Sequence, residues 1–364
     1  MALREPVSVL TGGPGTGKSA VQGLVASLAR KMDGTVHLAA PTGTAAARLS
    51  EAVADEGVDL KASTVHRLLD GYPDGKGGNV FRRNGNNKLE GPCLVVIDET
   101  SMLDTDLLHA VLDALPEDGR LLLVGDRYQL PSVGPGAVLR DLVECGGVPF
   151  SELTEVYRQK KDSAIAHGAA QIRQGKVPHS DLRRKVRGGL AFFECDTEHI
   201  EPSIETLVAG QLAERGYDPM SDVCVLTPER RAVAGVNSLN RKLGNAINVD
   251  ADEPFDSGDV KQSRMRAPTP RIGDRVMFRD NDVEKDVYNG DTGTLLEMGE
   301  GREAKMKVAF DNGSEIEFPA NRYRAFDVAY ATTVHKSQGQ QYPVVVLPVS
   351  ERHGMLDRAL LYTG

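Results

Sequence analysis

Three short stretches hold residues able to handle a phosphate chain. Residues 12–19, GGPGTGKS, match G-x-x-x-x-G-K-[ST] at every fixed position. Gly12, Gly13, Gly15 and Gly17, with Pro14 and Thr16 between them, let successive backbone N–H groups turn inward onto phosphate oxygens. Lys18 is placed to reach the β- and γ-phosphates, and Ser19 to ligate Mg²⁺ through its hydroxyl. The second stretch, CLVVIDETSM, ends an apolar run in Asp98 and Glu99. A carboxylate at Asp98 suits the Mg²⁺ shell, directly or through water, and one at Glu99 suits orientation and deprotonation of an attacking water. The same acids also suit the start of a helix, since Thr100, Ser101 and Asp104 lead into a helical run. The third stretch, RLLLVGDRYQL, carries Asp126 and, three residues later, Gln129, whose neutral amide can sense a γ-phosphate without titrating. Taken alone this third signal is equally that of a plain loop. The chemistry the three describe together is binding of ATP with Mg²⁺ and hydrolysis of its terminal phosphate.

Each stretch is predicted to sit at the end of a strand. Residues 7–10 read as a short buried strand and residues 20–32 as a helix, so the glycine loop falls in strand–loop–helix order. The helix adds its positive N-terminal end to the phosphate site. Residues 93–97 and 121–124 are continuous apolar runs, the pattern of strands buried on both faces of a parallel sheet. Such sheets place ligands at the carboxyl ends of their strands. The class is therefore α/β. Residues 37–49 give a strand, a Pro-Thr-Gly turn and a helix, and residues 62–69 put small hydroxyl residues and a histidine on a short helix. Residues 223–226 read as a strand of a second α/β lobe, with its following helix inside 229–243, and residues 329–349 as a helix leading through Gln338 and Gly339 into an apolar strand. Residues 271–320 change to short alternating strands with Asn-Gly and Asp-Thr-Gly turns, the signature of a small antiparallel barrel or meander.

A length of 364 residues allows two domains, and 40% hydrophobic with 26% charged residues is ordinary for a globular protein. No apolar run approaches a membrane span, so no membrane partner is expected. Cys93, Cys145, Cys195 and Cys224 form no CxxC pair, which argues against a zinc module or a disulfide framework and fits a reducing cytoplasm. With a net charge of −9, nucleic acid must be met by a local basic surface. The run RRKVR, residues 183–187, is a solvated face or one such surface.

Beside these stand LTEVYRQ (residues 153–159), GDRYQLPSVGPGAVLRDL (residues 125–142) and TVHKSQG (residues 333–339). Together with the glycine loop and the acidic pair, they resemble a superfamily 1 DNA helicase of the RecD-like branch along essentially the whole chain. The resemblance implies two RecA-like P-loop lobes with parallel sheets and an SH3-like β-barrel inserted in the second. The first lobe would span residues 1–150, with a small insertion near 70–91 as a hairpin or loop. The second would take 151–268 and 321–364, and the barrel 269–320. It implies that Arg158 reaches the γ-phosphate and that Gln338 and Gly339 contact the nucleotide. Pro41, Thr42, Gly43, Ser63, Thr64, His66, Thr332, Thr333 and His335 would line a single-strand track. Backbone amides and hydroxyls suit phosphate contact without base preference, and the same hydroxyls suit helix capping. His66 and His335 are read individually as packing or hydrogen-bonding residues rather than catalysts. The implied activity is ATP-driven translocation on single-stranded DNA or a forked duplex, 5′ to 3′.

Three departures qualify this. The chain ends at RALLYTG, ahead of the family's motif VI arginine, and begins within a few residues of its first strand, without the upstream helix and glutamine that contact adenine. Gln340 and Gln341 stand where relatives commonly carry Ser-Glu. The expectation is a fragment of a longer helicase. The alternative activity is ATP and DNA binding with little or no hydrolysis. A kinase or clamp-type ATPase would leave TVHKSQG and the β-rich segment without a purpose.

Overall fold

The computed structural model describes residues 1–73, 79–155, 164–176, 178, 189–251, 265–282, 284–299 and 304–364. Apart from the last two residues, the chain divides into two compact units, residues 1–191 and 192–362.

In the first unit the strands are β1 (Val7–Gly12), β2 (Thr35–Ala40), β3 (Ser63–Thr64), β4 (Gly71–Pro73), β5 (Asn79–Phe81), β6 (Cys93–Ile97), β7 (Arg120–Gly125) and β8 (Phe150–Leu153). The helices are α1 (Lys18–Lys31), α2 (Gly43–Asp55), α3 (Val65–Leu68), α4 (Thr105–Ala114), α5 (Val138–Glu144) and α6 (Ala164–Arg173). Six strands form one sheet in the order β3-β2-β6-β7-β1-β8, and every pairing is parallel. Alternation along the strands divides the core in two. Leu10, Leu94, Val96, Leu122 and Val124 face Ala26, Ala29, Leu49 and Val53 of α1 and α2. Val9, Val95, Ile97, Leu121 and Leu123 face Val111, Ala114, Leu139 and Val143 of α4 and α5. Burial on both sides is why these strands read as unbroken apolar runs. Strands β4 and β5 pair antiparallel as a separate hairpin.

The second unit holds α7 (Ile200–Glu205), β9 (Val223–Thr227), α8 (Val236–Ile247), β10 (Arg275–Phe278), β11 (Thr292–Met298), β12 (Lys305–Phe310), β13 (Glu315–Pro319), β14 (Phe326–Val328), β15 (Ala331–Thr333) and β16 (Val344–Val346). A parallel sheet β15-β9-β16 packs against α7 and α8 through Ile200, Ile204, Leu239 and Leu243. The helix expected in residues 329–349 is not there. Residues 331–333 are strand β15, bonded to β9 in the register Ala331↔Val225 to Thr333↔Thr227, and turns follow through residue 339. Adjacent β-branched residues, Thr332 and Thr333, lose little in an extended conformation, and the β9 ladder decides between the two readings.

Strands β13-β12-β11-β10-β14 make a five-stranded antiparallel sheet in the β-rich segment. The expected closed barrel is not found: among the described residues no ladder joins the edge strands β13 and β14. The sheet nonetheless curls, since the rings of Phe318 and Phe326 on those two edges lie 5.3 Å apart and Phe278 lies 5.0 Å from Phe326. A register shift between Leu295 and Glu297 supplies local bending.

One buried carboxylate ties this sheet to the parallel one. Asp274 is fully buried. It accepts hydrogen bonds from the Arg271 backbone N–H at 2.7 Å, Asn248 Nδ2 at 2.8 Å and the Tyr330 hydroxyl at 3.0 Å. The Arg271 guanidinium adds a charge partner at 3.0 Å. Asp274→Ala leaves that arginine and two donors without their acceptor, so a loss of about 3–5 kcal/mol is expected in urea unfolding of the second unit's signal. Among the described residues no helix is long and apolar enough to cross a membrane.

Candidate functional site

Strand order assembles the site. β6, β7 and β1 are neighbours and run the same way, so the glycine loop after β1, Asp98 after β6 and Asp126 after β7 share one edge. Gly15 and Gly17 have φ of 73° and 88°, conformations that side chains resist. Gly12 is needed for space: a Cβ there would lie 2.7 Å from Thr16 Oγ1 and 2.8 Å from the Leu153 carbonyl oxygen. Thr16 Oγ1 donates to the Gly13 carbonyl at 2.8 Å and closes the loop on itself. Lys18 Nζ donates to the carbonyls of Gly12 at 2.8 Å and Gly13 at 3.0 Å, which holds the ammonium over the loop.

The acidic pair is locally strained and electrostatically crowded. Glu99 adopts φ 49°, the left-handed region, and its N–H donates to Asp98 Oδ1 at 2.9 Å. Non-glycine residues in that region cost about 1–3 kcal/mol and cluster at functional sites. Burial pushes the Asp98 carboxyl up, against the Glu99 N–H, the Gln22 amide and Lys18. Burial also pushes Glu99 up, to about 7, helped by the negative charges of Asp98 and Asp126 and opposed by Lys18 and Arg48. Two residues after Glu99, Ser101 Oγ donates to Gln129 Oε1 at 3.2 Å, which holds Gln129 near the same strand end.

The donor chemistry fits Mg²⁺. A hydroxyl at Ser19, on the first turn of α1, and a half-buried carboxylate at Asp98 are hard oxygen ligands, and charge neutralisation would offset the desolvation that raises both acids. Among the described residues no group of three His, Cys, Asp or Glu side chains could hold a metal ion. Few protein ligands is the usual Mg²⁺ pattern, since that ion keeps waters and binds phosphates.

Gln22 escaped the sequence reading, and Asp126 was given no role of its own there. Asp126, singled out there only as a loop acid, is 1% exposed and acts on Glu99. Gln22 is 0% exposed and lies against Asp98. Its signal was spacing: Gln22 follows Ser19 by three and Lys18 by four, one face of a helix.

The residues expected along a strand track fall in two groups. Pro41, Thr42 and Gly43 follow β2, and Ser63 and Thr64 form β3 rather than a helix, so they continue the same sheet edge. Thr42 Oγ1 caps α2 by accepting from Ala45 N–H at 3.2 Å, and Thr64 Oγ1 caps α3 by accepting from Arg67 N–H at 3.2 Å. His66 packs 5.8 Å from the Phe81 ring, and burial lowers its pKa against the pull of Asp104.

Thr332, Thr333, His335, Gln338 and Gly339 belong to the second unit. Thr333 Oγ1 accepts from the Lys336 N–H at 3.3 Å, Gln338 is buried, and burial lowers the His335 pKa against Asp357. Beside them Asp327 gathers Arg230 at 3.1 Å, Lys336 at 3.2 Å and Arg279 at 3.5 Å. Burial would raise that carboxyl, but the three cations hold it below the usual range. The adjoining cavity, about 10 Å³, is lined by Thr332 and Thr333 and has room for one water at most. Arg158 and the run RRKVR lie outside the described residues.

A parallel sheet with a phosphate loop and a half-buried acidic pair on its carboxyl edge defines a P-loop nucleoside-triphosphatase fold. Comparison with known proteins narrows this. Residues 1–190 match the family described as AAA domain, and residues 328–364 match the UvrD-like helicase C-terminal domain. The ATP-dependent RecD2 DNA helicase of Deinococcus radiodurans is 36% identical over 98% of this chain and 45% of its own. The RecBCD enzyme subunit RecD of Mycolicibacterium smegmatis is 34% identical over 100% of this chain and 67% of its own. The chain belongs to the RecD-like superfamily 1 helicases. It spans about half the length of the Deinococcus relative. A crystal structure of Pif1 helicase from Bacteroides, in complex with ADP-AlF3 and ssDNA, shares the fold: TM-score 0.56 and 19% identity, over 99% of this chain and 86% of that one.

Proposed function

We propose that this chain is an ATP-dependent DNA helicase core that couples ATP hydrolysis to movement along single-stranded DNA, 5′ to 3′. The observation that carries the reading is the hydrogen bond from Ser101, two residues after Glu99, to Gln129, which brings Gln129 to the strand end that holds the half-buried Asp98 and Glu99. Loop N–H groups and Lys18 bind the phosphates. Ser19 and Asp98 would hold Mg²⁺, which supplies neutralisation of the charge developing on the terminal phosphate. Glu99 accepts the proton of the attacking water, and Gln129 registers the terminal phosphate. Arg158 is proposed to stabilise the transferred phosphoryl group and Gln338-Gly339 to contact the nucleotide.

For DNA, the reading uses the edge from Pro41 to Gly43, Ser63, Thr64 and His66, and in the second unit Thr332, Thr333 and His335. Three cations around one carboxylate at Asp327 leave local positive charge on an otherwise acidic chain, which favours a polyanion. Residues 269–320 are assigned to an SH3-like module inserted in a second RecA-like lobe, and cytoplasmic action goes with the free cysteines.

The test is steady-state ATP hydrolysis with and without single-stranded DNA, followed by unwinding of forks tailed on either strand. Turnover stimulated by DNA and unwinding of only the 5′-tailed fork are expected. Turnover indifferent to DNA would remove the motor reading, and unwinding of only the 3′-tailed fork would reverse the polarity.

A further inference from the structure

Gln22 sits in the second turn of α1 and is 0% exposed. Neither Oε1 nor Nε2 has a hydrogen-bond partner among the described residues. Burying an amide with both atoms unpaired costs on the order of several kcal/mol, and native proteins rarely tolerate it without a reason. A residue of similar volume and no polar atoms, such as Met, would fill the same space without that cost and would propagate the helix as well. The position is not random either. Three residues from Ser19 and four from Lys18, Gln22 shares their face of α1, and its amide favours the charged form of the Asp98 carboxyl from a position that falls short of a well-formed hydrogen bond.

We propose that Gln22 is a positioning residue for the divalent-cation site of Ser19 and Asp98. Its amide is reserved for the carboxylate and for the cation's coordinated water, and orients Asp98 once Mg²⁺ and nucleotide are bound. The inference rests on the reading of the phosphate loop as a Mg²⁺-nucleotide site. The amide offers what that shell needs: two N–H donors for a carboxylate that must present its other oxygen to the ion, and one carbonyl oxygen for a bound water. Outer partners of this kind typically change metal affinity about 10–100-fold when removed.

The experiment compares wild type with Gln22→Met in binding a fluorescent methylanthraniloyl-ADP across a Mg²⁺ titration, alongside thermal melting of the nucleotide-free proteins. Expected for Gln22→Met is an unchanged or raised melting temperature, unchanged affinity in EDTA, and about a tenfold higher Mg²⁺ concentration for half of the magnesium-dependent gain. Identical Mg²⁺ titrations for the two proteins would overturn the proposal and leave the nucleotide site standing. A wild type that binds the probe with no response to Mg²⁺ would remove the site reading, and the proposal with it. An equal loss of affinity with and without Mg²⁺ would make Gln22 a packing residue of the loop.

Discussion

Lys18→Ala is expected to abolish nucleotide-dependent turnover while the protein stays folded. The Lys18 ammonium makes two bonds, to the Gly12 and Gly13 carbonyls, on a part-buried surface. Their loss costs the fold about 1–3 kcal/mol, well inside the stability of a typical domain. The catalytic cost is larger because the ammonium is the fixed cation of the loop. Removing one preorganised donor to developing negative charge typically lowers kcat about 10²–10³-fold, and weakened phosphate binding adds to that. Hydrolysis measured at saturating ATP, with circular dichroism as the folding control, separates the two effects. Undiminished turnover in a folded Lys18→Ala protein would show that residues 12–19 are not the phosphate site.

Glu99→Gln is expected to separate binding from chemistry. The substitution keeps the volume and removes only the ability to take a proton, so ATP binding should persist while turnover falls about 10²–10⁴-fold. Intact turnover with weakened ATP binding would contradict the assignment of Glu99 as base. A second readout follows from the site's electrostatics. In the Mg²⁺- and nucleotide-free protein, burial and the charges of Asp98 and Asp126 raise the Glu99 carboxyl from an ordinary 4.5 to about 7. Between those values the folded protein binds more protons than the unfolded chain, so wild-type stability falls as pH rises through that window. Glu99→Gln cannot ionise and escapes the fall. Its melting temperature should match wild type near pH 4.5 and exceed it increasingly up to about pH 7, with the gap levelling off above. A gap that stays constant with pH would mean that Glu99 does not titrate in this window. A more stable and inactive Glu99→Gln protein is what a site strained for function predicts.

Much of this protein was legible as a string. The loop GGPGTGKS works through backbone geometry set within a few residues, and Gly12, Gly15 and Gly17 are where the structure needs them. The runs at residues 93–97 and 121–124 became β6 and β7 because burial on both faces writes itself as uninterrupted hydrophobicity. Asp104 caps α4, accepting from the Leu107 N–H at 2.8 Å, as the residues before that helix suggested. These features are local, and local chemistry decides them.

The rest depended on which strands lie side by side. Ser101 and Gln129 are 28 residues apart and meet because β6 and β7 are neighbours. Thr332 and Thr333 carry no unambiguous period, and pairing with β9 made them strand where a helix was expected. Alternation in the β-rich segment specified antiparallel strands but not whether their edges bond; closure depends on curvature, and among the described residues no ladder joins the two edges. Gln22 looks like an ordinary helix surface residue until the sheet covers it and sets its amide beside Asp98. Sequence determined the phosphate loop, the acidic strand end and the α/β class, since each is set by residues a few positions apart. Tertiary structure decided the partner of Gln129, the burial of Gln22 and the conformation of residues 331–333, since each depends on packing that no local pattern encodes.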